Sequence, residues 1–187
     1  MKQKYLLIPD QKELAKWFRY NPDTGILYRI AELNRNTRKT QEVNPERAVG
    51  TALPDGYLVC HIPRAGRRLV ARIVWMIQTG EDPCSKQIDH INGERHDNRW
   101  KNLRLATKAE NMRNRAKHCS MNGVATLSAY KGVSYEKNDY GQHNRIIAQI
   151  RVDGRLIRLG TFPTEEAAHA AYCDAAKKYH GEFARLE

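Results

Sequence analysis

The segment Ile88–Asn111, IDHINGERHDNRWKNLRLATKAEN, decides how the chain is read. It sets an Asp-His pair, Asp89 and His90, before a loop almost empty of aliphatic residues. Asn102 follows twelve positions after His90, and Asn111 nine positions after Asn102. Core-building alone does not call for that order of carboxylate, imidazole and two amides. Thr107 and Glu110 have the spacing of a capping box, in which a hydroxyl caps the first turn and a carboxylate reaches back. Asn111 is then expected in the first turn of a helix, where unpaired N–H groups and the positive end of the dipole favour a phosphate. Neighbouring side chains of a regular strand point to opposite faces, so Asp89 and His90 share a site only where the strand ends or bulges. Asn92-Gly93 directly afterwards is a suitable break.

The composition of the 187-residue chain fits a phosphate-bearing partner. Net charge is +11, and the excess is uneven: residues 118–187 carry nine Lys or Arg against eight Asp or Glu, while residues 1–117 carry 23 against 13. A basic balance of this size points to a polyanion such as double-stranded DNA, the competing reading being a solvated basic surface. No apolar run reaches membrane-spanning length, and the four-residue apolar patch after the basic start is too short for a secretory signal. An intracellular protein is therefore expected. Cys60, Cys84, Cys119 and Cys173 form no Cys-x-x-Cys pair, which argues against a zinc knuckle or a disulfide framework. A zinc site from Cys84, His90, His96 and Cys119 matches no common structural-zinc spacing.

Two modules are expected, residues 1–117 and 130–187, with a linker at 118–129 rich in small and polar residues. In the first, Leu14, Trp17 and Phe18 have helical spacing within residues 12–20, and NPDTGILYRI reads as a turn entering a strand. Residues 34–48 are polar, with Val43 their only large aliphatic, and are expected to form a mobile loop. GYLVCHI and RRLVARIVWMIQTG read as strand, turn, strand and a short helix ended by Gly80. The second module should be three strands and an Ala-rich helix from about Glu165 to Tyr179, with Thr164 as N-cap and Gly181 past its end. Period-2 alternation puts Ile146, Ala148, Ile150 and Val152 against that helix, leaving Arg145, Ile147, Gln149 and Arg151 outside. The fold class expected is α+β.

The wording DHINGxxxDNRxxNLRxATxxEN, within residues 86–117, resembles the ββα-metal motif of HNH nucleases of the phage and intron homing type. That resemblance implies one divalent ion per active site, held by Asp89 and Asn111, with His90 as general base and Asn102 pinning the loop. Oxygen-only protein ligands suit magnesium or manganese better than zinc. Arg104, Arg113 and Arg115 are among the cations around the motif expected to contact DNA. Family members often carry a His before the Arg of the preceding helix, where this chain has Ala71. The implied activity is hydrolysis of DNA phosphodiesters to 5′-phosphate and 3′-hydroxyl ends, in bacterial or phage-infected cytoplasm. A DNA-binding regulator that keeps the HNH fold only as a scaffold is the alternative.

The C-terminal YKGVSYEK, LGTF and EEAAHAAYCDAA, over about residues 130–187, resemble the plant APETALA-type (ethylene-response-factor) DNA-binding domain. In that family a three-stranded sheet lies in the major groove and the helix backs it. By position Lys131, Gln149, Arg151 and Arg158 correspond to DNA contacts, since Arg and Gln can read guanine and adenine edges. Ser134 and Glu136 stand where plant members use Arg, and Arg158 replaces a Trp, so the family's sequence preference is not carried over.

Overall fold

A computed structural model describes residues 8–34, 36–116, 120–121, 124–125, 128–137 and 143–186. The chain divides into two compact units, residues 1–108 and 109–187. This division lies N-terminal to the boundary at 117 expected from composition, and falls inside the helix that carries Asn111.

The first unit opens with α1 (Gln11–Ala15), whose N-cap Asp10 accepts from the Glu13 amide. The helix expected over residues 12–20 stops there, and Phe18 starts β1 (Phe18–Tyr20), which pairs antiparallel with β2 (Leu27–Leu33). Leu14, Trp17 and Phe18 are all buried, so their spacing reported burial correctly but not helix length. The loop expected at 34–48 is also corrected, because β3 (Thr40–Ala48) forms the third strand of this sheet. Its ladder is made by backbone groups, which need no apolar side chain, and Glu32 on β2 accepts from Gln41 and pairs with Arg47.

A second antiparallel sheet contains β4 (Thr51–Ala52), β5 (Leu58–Ile62) and β6 (Gly66–Leu69). It leads into α2 (Val70–Thr79), closed by Gly80 at φ 74°, the left-handed C-terminal geometry that glycine accepts without a Cβ clash. Val70, Ala71, Ile73, Val74 and Met76 are buried with Leu14, Leu27, Ile62, Ile88 and Leu103 in one cluster. The last two belong to β7 (Gln87–His90) and β8 (Leu103–Ala106), an antiparallel pair with Asp89 opposite Arg104 and His90 opposite Leu103. Their apolar side chains fasten the ladder to the core, while its end carries the polar residues of interest. α3 (Lys108–Arg113) follows immediately.

In the second unit β9 (Ser120–Met121) and β10 (Val124–Ala125) pair within the segment expected as a linker, the rest of which lies largely outside the described residues. β11 (Val133–Lys137), β12 (His143–Val152) and β13 (Arg155–Phe162) form an antiparallel meander, and α4 (Glu165–His180) packs on it. Asp153 and Gly154, at φ 49° and 81°, make the tight turn between β12 and β13. Thr164 caps α4 by accepting from the Ala167 amide. Ile146, Ala148, Ile150 and Val152 join clusters with Ala168, Tyr172 and Ala176 of the helix. Gly132 is required here: at φ 79°, an added Cβ would stand 2.0 Å from the Tyr172 ring. The whole is α+β, built from small antiparallel sheets. Among the described residues no helix is long and apolar enough to cross a membrane.

Candidate active site

Asp89 and His90 are the last two residues of β7, and both are buried, at 4% and 3% exposure. The β7–β8 register runs unbroken to His90, and the chain turns directly after it. The Gly93 amide donates to the His90 carbonyl, and the Ile91 amide to the Asn102 carbonyl. Asn102 is buried at the base of the loop, where its Oδ1 accepts from the Asn92 amide at 3.0 Å and its Nδ2 donates to the Asp97 carbonyl at 2.8 Å. Asp97 forms the other brace. It takes both Arg99 Nε and Nη2, at 2.8 and 2.5 Å, together with Asn92 Nδ2 at 2.8 Å. The Arg99 bonds first, and then the Asn92 bond, hold its carboxyl down at about 2.

His90 is oriented by a residue that motif reading did not single out. Asn98, 2% exposed, donates from Nδ2 to the His96 carbonyl at 3.2 Å, so its Oδ1 faces His90 Nε2, also at 3.2 Å. An amide oxygen can only accept, so Nε2 carries the ring proton and Nδ1 the lone pair. Burial pushes the His90 pKa below its usual 6.5 against smaller opposing effects from Asn98, Asp89 and Asp97. The neutral, basic form is therefore favoured at pH 7. The N-terminal hairpin supports this arrangement from behind. Tyr20 donates its hydroxyl to the Asn98 carbonyl at 2.7 Å, and the Trp100 amide donates to the Pro22 carbonyl. Gly25 packs so closely that a Cβ would meet the Arg99 nitrogen at 2.5 Å. The sequence signal for these supports was slight, a buried amide in a polar loop and a glycine in a turn.

Asp89 faces a cation across the ladder. Arg104 donates from Nε to Asp89 Oδ2 at 2.9 Å, and its Nη2 lies 2.8 Å from the same oxygen, with the two side chains 12% and 4% exposed. The cross-strand register brings them together, and a buried carboxylate is costly without such compensation. Arg104, expected among the DNA contacts, is thus turned inward and presents little surface to a phosphate.

Residues 68–113 match the family model of the HNH endonucleases. The matched segment thus runs from β6 through α3 and includes Asp89, His90, Asn98, Asn102 and Asn111. Over 120 residues the chain is 29% identical to an uncharacterized HNH endonuclease of Acanthamoeba polyphaga mimivirus, covering 64% of this chain and 57% of that protein. The chain therefore spans little more than half the length of this relative. No solved structure matches the present chain.

Within the matched segment Asn111 is the fourth residue of α3 and is half-buried. It belongs to the C-terminal unit, whereas Asp89 and His90 belong to the N-terminal one. Of the cysteines weighed for zinc, Cys84 is an exposed free thiol and Cys119 lies outside the described residues.

The C-terminal unit redistributes the residues expected to touch DNA. Lys131 donates from Nζ to the carbonyls of Arg113 and Arg115 at 2.7 and 2.8 Å, so its ammonium is turned inward as well. Arg113 pairs with Asp153 at 3.2 Å, while Arg115 is exposed. Arg158 reaches across the central strand to Glu136, forming two bonds of 2.9 and 3.0 Å, with a third to Thr161 Oγ1. This bridge crosses the strand that carries Ile147, which is 8% exposed although alternation places it on the outer face. Arg151 is exposed and donates to the Gly154 carbonyl of its own turn at 3.1 Å. Gln149 is half-buried and Arg145 exposed.

Proposed function

We propose that the chain is a divalent-metal-dependent DNA endonuclease of the HNH type, with Asp89 and Asn111 as protein ligands of one magnesium or manganese ion and His90 as general base. The observation that carries this reading is the buried His90, fixed as its Nε2–H tautomer by Asn98 beside the Asp89 carboxylate, inside the segment that matches the family. A carboxylate oxygen and an amide oxygen are a hard donor set, and they fit magnesium or manganese. When bound, such an ion supplies compensation for charge on the scissile phosphate and the departing sugar oxygen. Asp89 contributes the anionic donor, and Arg104 keeps that carboxylate in place across the ladder. His90 takes a proton from water at Nδ1. The water oxygen bonds to phosphorus, the bond to O3′ breaks, and O3′ leaves with a proton from solvent as a 3′-hydroxyl, leaving a 5′-phosphate. Asn98 and Asn102 act through the loop: one holds the imidazole, the other the backbone around it.

Double-stranded DNA is the substrate class that fits the excess of positive charge in residues 1–117. The C-terminal three-stranded sheet serves as an APETALA-type reader through Arg145, Gln149 and Arg151 of β12. The biological setting is that of a freestanding homing-type enzyme in bacterial or phage-infected cytoplasm. Plasmid nicking tests the reading. Wild type should nick with magnesium and not without it, and His90→Ala should fall by about a hundredfold or more, the usual contribution of a positioned base. Equal background cleavage by both proteins would favour the non-cleaving DNA-binding regulator instead.

A further inference from the structure

Lys131 occupies an unusual place for a lysine in a basic protein. The residue is half-buried, and its ammonium faces two backbone carbonyls, that of Arg113, the last residue of α3, and that of Arg115, two residues beyond it. The last carbonyls of a helix have no intrahelical donor, and a lysine there both satisfies them and complements the negative end of the dipole. The Lys131 backbone is itself fixed. Its carbonyl lies 3.1 Å from His169 Nδ1 on α4, and the next residue's carbonyl, on Gly132, accepts from the Gln149 amide of β12 at 2.9 Å. A second tie leaves the same end of α3, where Arg113 pairs with Asp153 in the turn between β12 and β13. The end of α3 is thus joined to α4 through Lys131 and to the sheet through Arg113. Asn111 lies two residues before Arg113 on a helix of only six residues.

We propose that Lys131 and the Arg113–Asp153 pair anchor α3 to the C-terminal unit, making Lys131 a positioning residue for the Asn111 ligand and not a DNA contact. The role assigned to Asn111 rests on the endonuclease reading above; the anchor does not. A six-residue helix has little stability of its own and takes its position from what holds it. The unit that carries the candidate reader sheet would then also set where one of the two metal ligands stands, linking recognition to cleavage through covalent and hydrogen-bonded structure. The Lys131 ammonium is spent on backbone carbonyls, so its removal should act on rate and leave affinity alone.

Lys131→Met keeps the aliphatic stem and removes the donors. In the full-length, metal-free, DNA-free protein, amide hydrogen exchange at Met112 to Asn114 should quicken by about tenfold. Lys131→Arg, which can still donate to both carbonyls, should restore most of the protection. Asp153→Asn, a gentler change at an exposed turn position, should quicken the same amides less. Affinity for duplex DNA without metal should stay within about twofold and the salt slope should be unchanged, because no phosphate contact has been lost. With magnesium, the single-turnover cleavage rate at saturating DNA should fall by about tenfold or more, with Lys131→Arg rescuing it. Unchanged exchange in Lys131→Met, or weaker binding with a shallower salt slope, would overturn the proposal and return Lys131 to the phosphate contacts. If wild type does not cleave, the endonuclease reading fails, and the exchange measurement still decides the anchor.

Discussion

Asn98 shows how one side chain can decide the chemistry of another. Its Nδ2 is committed to the His96 carbonyl, which leaves only Oδ1 to meet His90, and an acceptor there selects the imidazole tautomer. Asn98→Ala should lower the cleavage rate by about tenfold to a hundredfold with little change in DNA affinity, because the ring loses orientation and the buried Nε2–H loses its acceptor. Single-turnover kinetics beside a binding isotherm check this. Asp97 allows a prediction in acid. Its folded value of about 2 lies below the unfolded 3.8, so the stabilisation is fully present above 3.8 and is lost as pH falls toward 2. The amides of Asn92 and Arg99 should therefore lose exchange protection across that window in wild type, and Asp97→Asn should show no such step. Asp89, His90 and Asn102 stand out in the sequence through their order and the resemblance of their segment to the HNH motif. Asn98 does not, because its role comes from two contacts that only the folded loop creates.

At the level of elements, the sequence signal was strongest where side chains determine the structure and weakest where the backbone does. The strands and helix of the C-terminal unit follow from alternation, an Asp-Gly turn, a threonine cap and a terminal glycine, each of which acts locally. β3 lacks an apolar face because its place depends on backbone pairing with β2, so polarity made it resemble a loop. At α1, Leu14, Trp17 and Phe18 are buried from a short helix and then a strand, two geometries that share the same spacing over so few residues. The N-terminal hairpin matters more than its distance in sequence suggests, since its turn touches the loop behind His90. Gly25→Ala puts a Cβ 2.5 Å from the Arg99 nitrogen at a residue whose φ is 75°. It should cost about 2 kcal/mol or more in urea unfolding and also reduce cleavage, because the loop it displaces carries Asn98. A Gly25→Ala protein with wild-type stability and rate would show that the hairpin does not support the site.

For the whole molecule, charge and connectivity suggest a division of labour. The excess of Lys and Arg lies in residues 1–117, while the C-terminal segment is near neutral. Non-specific binding should therefore depend steeply on salt and follow the N-terminal charges. Arg151→Ala, at an exposed position on β12, should reduce discrimination between sites while leaving non-specific nicking largely intact, as cut-site mapping on a randomised library would show. Arg158 is expected to contribute less than its position in the sequence implies, since its guanidinium is already paired with Glu136. The account as a whole depends on one cation held jointly by Asp89 and Asn111. Manganese binding by electron paramagnetic resonance tests this most directly, using full-length His90→Ala protein on duplex DNA so that cleavage does not intervene. The prediction is one bound ion per chain, lost or strongly weakened when either Asp89→Asn or Asn111→Ala is added. Binding that is indifferent to Asn111→Ala would contradict it.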